Sequence, residues 1–141
     1  MLYSMHDIKL DDDHDVKVSA GGDIERANTL SGLRQIAQFR IRTAMSEWVY
    51  DPISVADIVK LIGEGNNEET GSRIEAAVIR ALGGDYLFPA NQVTTRVVPT
   101  SPTEVALFVD IRDLIIDDAD TTSLQLQFQI DFATGHIVGI I

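Results

Sequence analysis

Glu47, Trp48 and Asp51 bring two carboxylates and an indole ring together in a short stretch of chain. An aromatic wall can keep a carboxyl protonated, and a protonated acid beside an ionised one is the equipment of glycoside hydrolysis. With 22 acidic residues in 141, however, such a pair arises by chance, and Trp48 also falls on a helical apolar stripe. The other reactive types are scattered. His6, His14 and His136 lack the i, i+4 partner of a helical zinc pair. There is no cysteine, which excludes a thiol nucleophile, a disulfide and cysteine-ligated zinc. The acidic runs "DDDHD" and "DDADTT" lack the glycine at position six and the glutamate at position twelve of a calcium loop. "GEGNNEETG" has neither the Lys-Ser/Thr ending nor the preceding strand of a phosphate cradle, and no G-x-S-x-G elbow exists. No catalytic residue, metal or cofactor is expected.

Eleven basic residues against 22 acidic ones give a formal charge of −11. That argues against a nucleic-acid binder and against an anionic membrane surface. It suits either plain solubility or an acidic component that docks on basic partner surfaces. No apolar run approaches the ~20 residues of a membrane span. The start "MLYSMHDIKLDDDHD" lacks the basic and apolar blocks of a signal peptide, so a soluble cytoplasmic protein is expected. The length predicts one domain, 1–141, with room for mobile terminal segments.

The elements that would position any site read as follows. "MHDIKL" and "DVKVSA" predict two short strands around the acidic turn, broken by Gly21-Gly22. Leu30, Leu33, Ala37, Ile41, Ala44 and Trp48 predict a long helix, capped by Thr29 or Ser31. Arg34, Arg40 and Arg42 mostly point away from its stripe and form a local basic patch, which reads as a solvated face with a docking surface as the alternative. Val55, Ile58, Val59 and Ile62 predict a short second helix after Pro52, with Ser54 and Asp57 as a near capping box. Ile74, Ala77, Val78, Ala81 and Leu82 predict a third helix, stopped at Gly83-Gly84. The remainder reads as strands: "NQVTTRVVP", "TEVALFVDIRD", "SLQLQFQIDF" and "HIVGII". The expected fold is α+β, an antiparallel β-sheet with about three helices packed on one face. No internal repeat or low-complexity linker is read from the chain.

The third of those strands is unusual. Leu124, Leu126, Phe128, Ile130 and Phe132 alternate with Ser123, Gln125, Gln127, Gln129 and Asp131. The alternation predicts one dry and one wet face, and the wet face is almost all glutamine in an otherwise acidic chain.

The order of these features resembles the sheath-initiator family of contractile phage tails, also called the baseplate wedge lysozyme-like family. The resemblance spans roughly residues 7–132. It rests on Gly22-Asp23 before the long helix, Gln35 within it, and the "T-x-x-x-E-W-x-x-D-P" segment from Thr43 through Asp51. It continues through "LIG" at 61–63 and "RIEAAVIRAL" at 73–82 before the strands. The Glu-Pro-Arg triplet often found after the third helix is missing, since the region reads "LGGDYLFPANQV". The resemblance implies a structural baseplate protein that templates the first ring of sheath subunits by β-strand addition. Implied partners are the sheath protein and other baseplate wedge and hub or tube subunits, with six copies expected from tail symmetry. The implied location is the virion tail baseplate, with the host cytoplasm during assembly. On this view Gln125, Gln127, Gln129 and Asp131 meet the partner strand, because glutamine keeps the face soluble without repelling it. Arg34, Arg40 and Arg42 meet a second partner. A small muralytic hydrolase using Glu47 and a generic interaction module are the alternatives.

Overall fold

The computed structural model describes residues 2–4, 6–11, 13–61, 63–117 and 121–140. Asp12 and residues 118–120 of the acidic loops, and Ile62 of the expected second helix, lie outside them. The fold is α+β, with two α-helices among the described residues rather than about three. Helix α1 spans Thr29–Arg42 and α2 spans Glu68–Leu82. Asn28, rather than Thr29 or Ser31, caps α1 by accepting from the Ser31 N–H, and Asn67 caps α2 in the same way through Thr70. Glu68 and Glu69 stand at the positive end of α2 and Arg80 at its negative end.

The segment expected to form the second helix makes only two 3-10 turns, Pro52–Ser54 and Ile58–Leu61. Asp57 lies between them at φ 57°, a left-handed conformation that no continuing helix tolerates. Its carboxylate accepts from the Met45 N–H instead of closing a capping box. Val55 and Ile58 still reach the core, so burial is achieved without the helix.

Four long or terminal strands build the main sheet: β4 (Val93–Pro99), β5 (Glu104–Ile116), β6 (Thr121–Asp131) and β7 (Ile137–Gly139). A fifth, β1 (Leu2–Tyr3), runs parallel to the end of β5 on the side that β4 also occupies. The remaining neighbours are antiparallel, in the order β5-β6-β7. A register shift between Ile111 and Leu114 bends β5 after its central pairing with β6. The helices cover one face, where Leu107, Val109 and Ile111 of β5 meet Leu124, Leu126, Phe128 and Ile130 of β6, all essentially dry. Tyr3 anchors β1 to this core: its hydroxyl donates to the Leu87 carbonyl at 2.5 Å and its ring lies 5.9 Å from Phe88.

The amino-terminal segment holds a feature missed in the sequence reading, an eight-residue repeat. His6-Asp7-Ile8-Lys9, His14-Asp15-Val16-Lys17 and Gly22-Asp23-Ile24-Glu25 are its three copies. The Lys9 N–H donates to the Glu25 carbonyl, Lys17 to Lys9, and Glu25 to Lys17, so three short strands close a ring. Two of them are β2 (Asp7–Ile8) and β3 (Arg26–Ala27). The turns repeat as well. Asp15 bonds the Asp11 carboxylate and Asp23 the Ser19 hydroxyl, while His14 and Gly22 both take positive φ, 65° and 83°. The Gln35 amide joins this ring to α1, accepting from the Leu10 N–H at 2.8 Å and donating to the Ile8 carbonyl at 3.0 Å.

Candidate docking edge

A sheet offers docking sites at its edges, and here the two edges differ. On the β4 side the outward groups belong to Val93, Thr95 and Val97, because the even residues of β4 face β5. The Val97 N–H is taken by Glu75 of α2 at 3.2 Å, and Pro99 has no N–H to offer. Both devices blunt an edge against further pairing.

On the other side β7 covers only Phe128, Gln129 and Ile130 of β6, extended by one bond from the Ile140 N–H to the Gln127 carbonyl. Residues two apart in a strand point their backbone groups the same way. The groups of Ser123 and Gln125 therefore face outward like those of Gln127. Among the described residues no backbone group pairs with them. One side chain does: Arg34 Nη1 donates to the Gln125 carbonyl at 3.0 Å. Among the described residues the open edge is thus residues 121–126, about half of β6.

Arg34 also lines a groove of about 1120 Å³, to which no residue of β6 contributes. Arg34, Gln38 and Arg42 of α1 form one wall, Val138 and Ile140 an end, and the turn through Asp11 and His14 the opposite wall. Arg42 contacts the His14 ring across it. The three α1 residues are four apart, so they form a single stripe.

The expected site residues are therefore separated. Gln125 stands on the open half of β6. Gln127 and Gln129 have their backbones engaged by the β7 row, and the Gln129 amide also reaches over Ala106 to donate to Thr100 Oγ1 at 2.8 Å. All three side chains lie on the outer sheet face, where Arg96 stacks over Phe108 at 4.9 Å. Asp131 belongs to the β6–β7 turn, where its carboxylate accepts from the Ala133 N–H at 2.8 Å. That bond holds its pKa below the ordinary 3.8 against an opposing desolvation, with further help from Thr134 and His136. A carboxylate depressed in the folded state stabilises it above its unfolded pKa, and the gain is lost as pH falls through the folded value. Asp131→Asn should thus lower stability at neutral pH, and its difference from wild type should shrink below 3.8 in paired urea titrations.

Arg40 corrects the expectation of one basic patch. Its side chain is 11% exposed, and Nη1 donates to the Ala81 and Gly84 carbonyls at 2.9 and 2.8 Å, closing the carboxyl end of α2. Burial lowers its pKa, opposed by Asp85 and Asp51. Gly84 makes the close approach possible, since a Cβ there would fall 2.1 Å from Ser54 Oγ. Arg40→Leu should cost about 1–3 kcal/mol in urea unfolding by stranding two carbonyls. Arg40 is an internal brace.

Glu47 also has a local task, accepting from the Ala44 N–H at 2.9 Å in the turn that follows α1. Trp48 is not core: it is 39% exposed and packs edge-on against Phe39 and Tyr50. Among the described residues no group of three or more histidine, aspartate or glutamate side chains is placed to hold a metal ion, and no helix is long and apolar enough to cross a membrane. Gln38 carries no motif and was missed in the sequence; its place is given by the groove it lines with Arg34 and Arg42. Comparison with protein-family models, with curated proteins and with solved structures finds no match to this chain.

Proposed function

We propose that this chain is a non-enzymatic assembly protein, a baseplate component of a contractile phage tail or related injection system that initiates sheath polymerisation by β-strand addition. The observation that carries it is the difference between the sheet's edges: β4 is blunted at Val97 by Glu75 and at Pro99, and among the described residues no strand lies beside 121–126 of β6. In strand addition the backbone ladder supplies affinity and alternate side chains set register. The Ser123 and Gln125 positions give an incoming strand a ladder to join, with uncharged side chains beside it. Sequence support comes from the feature order shared with sheath initiators. The sheath protein is the proposed partner of β6, and other wedge and hub or tube subunits are the proposed neighbours of the remaining surface. The test is to mix the purified protein with its proposed sheath partner and look for seeded polymer by electron microscopy. Polymer that forms equally well without this protein would contradict the proposal.

A further inference from the structure

In a chain with 22 acidic residues, three cations meet at one dent in the surface. It lies between the 3-10 turn Ile58–Leu61 and α2, holds about 330 Å³, and is rimmed by Lys60, Arg73 and Arg80. Arg73 and Arg80 are seven residues apart on α2, two helical turns and ~10 Å. Between them this face carries Ala76 and Ala77, whose side chains end at Cβ and leave the helix surface hollow. Ala56 and Leu61, both buried, complete an apolar floor. No residue of β6 or β7 lines the dent, so it stands apart from the docking edge.

The charges at the rim are not balanced. Among the described residues the Lys60 ammonium has neither an ion pair nor a hydrogen bond. Arg80 Nη2 donates to the Val55 and Ala56 carbonyls at 3.1 and 3.3 Å, which pins the turn to α2 but supplies no countercharge. Arg73 is paired with Glu64 at 3.3 Å. Asp57 also lines the dent, but its Oδ1 already accepts from the Met45 N–H at 3.1 Å. Three cations against these two carboxylates leave one positive charge over. Lys60 keeps all its donors, and Nη1 of Arg80 is likewise unspent. Cations above an apolar floor suit an anion with an apolar stem. Its carboxylate takes charge-assisted bonds from the rim, and its carbons cover the floor. A bare phosphate has no carbon to place there, and an amide leaves the charge unmet.

We infer that this dent binds a single carboxylate carried on a short apolar stem, held by Lys60 and Arg80. Such a group belongs either to a free monocarboxylic acid or to a glutamate side chain of a partner. The test is two-dimensional amide NMR of the full chain titrated with isocaproate and with a blocked tripeptide holding a central glutamate. Each is paired with an uncharged twin, the amide of isocaproate and the glutamine tripeptide. A carboxylate should shift the amides of Lys60, Leu61, Ala76 and Ala77 saturably, and salt should weaken it. Lys60→Gln should lower the affinity about three- to fivefold. Ala76→Leu should abolish binding, because it fills the hollow while keeping every charge; the position is exposed and leucine suits a helix. Saturation by isocaproate alone assigns a free acid, by the tripeptide alone a partner's side chain, and by both the shared carboxylate. Binding of neither carboxylate, equal binding of an uncharged twin, or binding unaltered by Ala76→Leu would overturn the site.

Discussion

Ser123→Pro is expected to leave the protein folded and, if the proposed function holds, to remove its capacity to seed sheath polymer. The Ser123 N–H points away from β5, as the bond pattern on both neighbours requires. Even residues of β4 bond β5, odd residues of β5 bond β6, and odd residues of β6 face β7 and the open edge. Proline there deletes a donor that has no partner within the described chain. The strand conformation of Thr122 also suits a residue that precedes proline. The expected cost in urea unfolding is within about 1 kcal/mol. One residue on, the outcome reverses. Leu124 is dry and faces Ile111, so Leu124→Pro breaks the central ladder and costs about 3 kcal/mol or more. The pair of variants separates docking from folding, since only the second should change the circular dichroism spectrum.

Phe128→Ala is expected to have the largest effect on stability. Phe128 is fully buried at the middle of β6, opposite Leu107, and its ring lies 3.7 Å from the position a Cβ would take at Gly139 of β7. Removing the ring should cost about 3–5 kcal/mol. In a chain of this length that corresponds to a fall in Tm of roughly 10 °C or more. The same ring supports the β7 row, so the variant should also loosen Val138 and Gly139, visible as faster amide exchange there than in Arg40→Leu protein.

The long strands were legible because their alternation is strict and their inner residues are large. Leu124, Leu126, Phe128 and Ile130 could face only one way, and the α2 stripe left as little choice. The second helix misled because Val55, Ile58 and Val59 have helical spacing, while the left-handed turn at Asp57 is a backbone event that side-chain periodicity does not report. The ring of repeats was hidden by its length: each copy contributes only two or three strand residues, and one carries glutamate where the others carry lysine. At the docking edge, the glutamine-bearing strand was recognisable as unusual. Which half of it stays open depends on how far β7 extends, and that follows from the turn at Asp131. Arg40 is a similar case. Its place outside the apolar stripe suggested solvent, but the carboxyl end of α2 lies within its reach and supplies two carbonyls.

The central claim is tested most directly by residue-resolved amide hydrogen exchange on the protein alone and with the proposed sheath partner. In the free protein, Ser123 and Gln125 should exchange quickly while Leu124 and Leu126, bonded to β5, are protected. On addition of the sheath protein, Ser123 and Gln125 should become protected together, with little change along β4. Slow exchange at Ser123 and Gln125 before any partner is added, or rates there unaltered by a partner that demonstrably binds, would contradict an edge that works by accepting a strand.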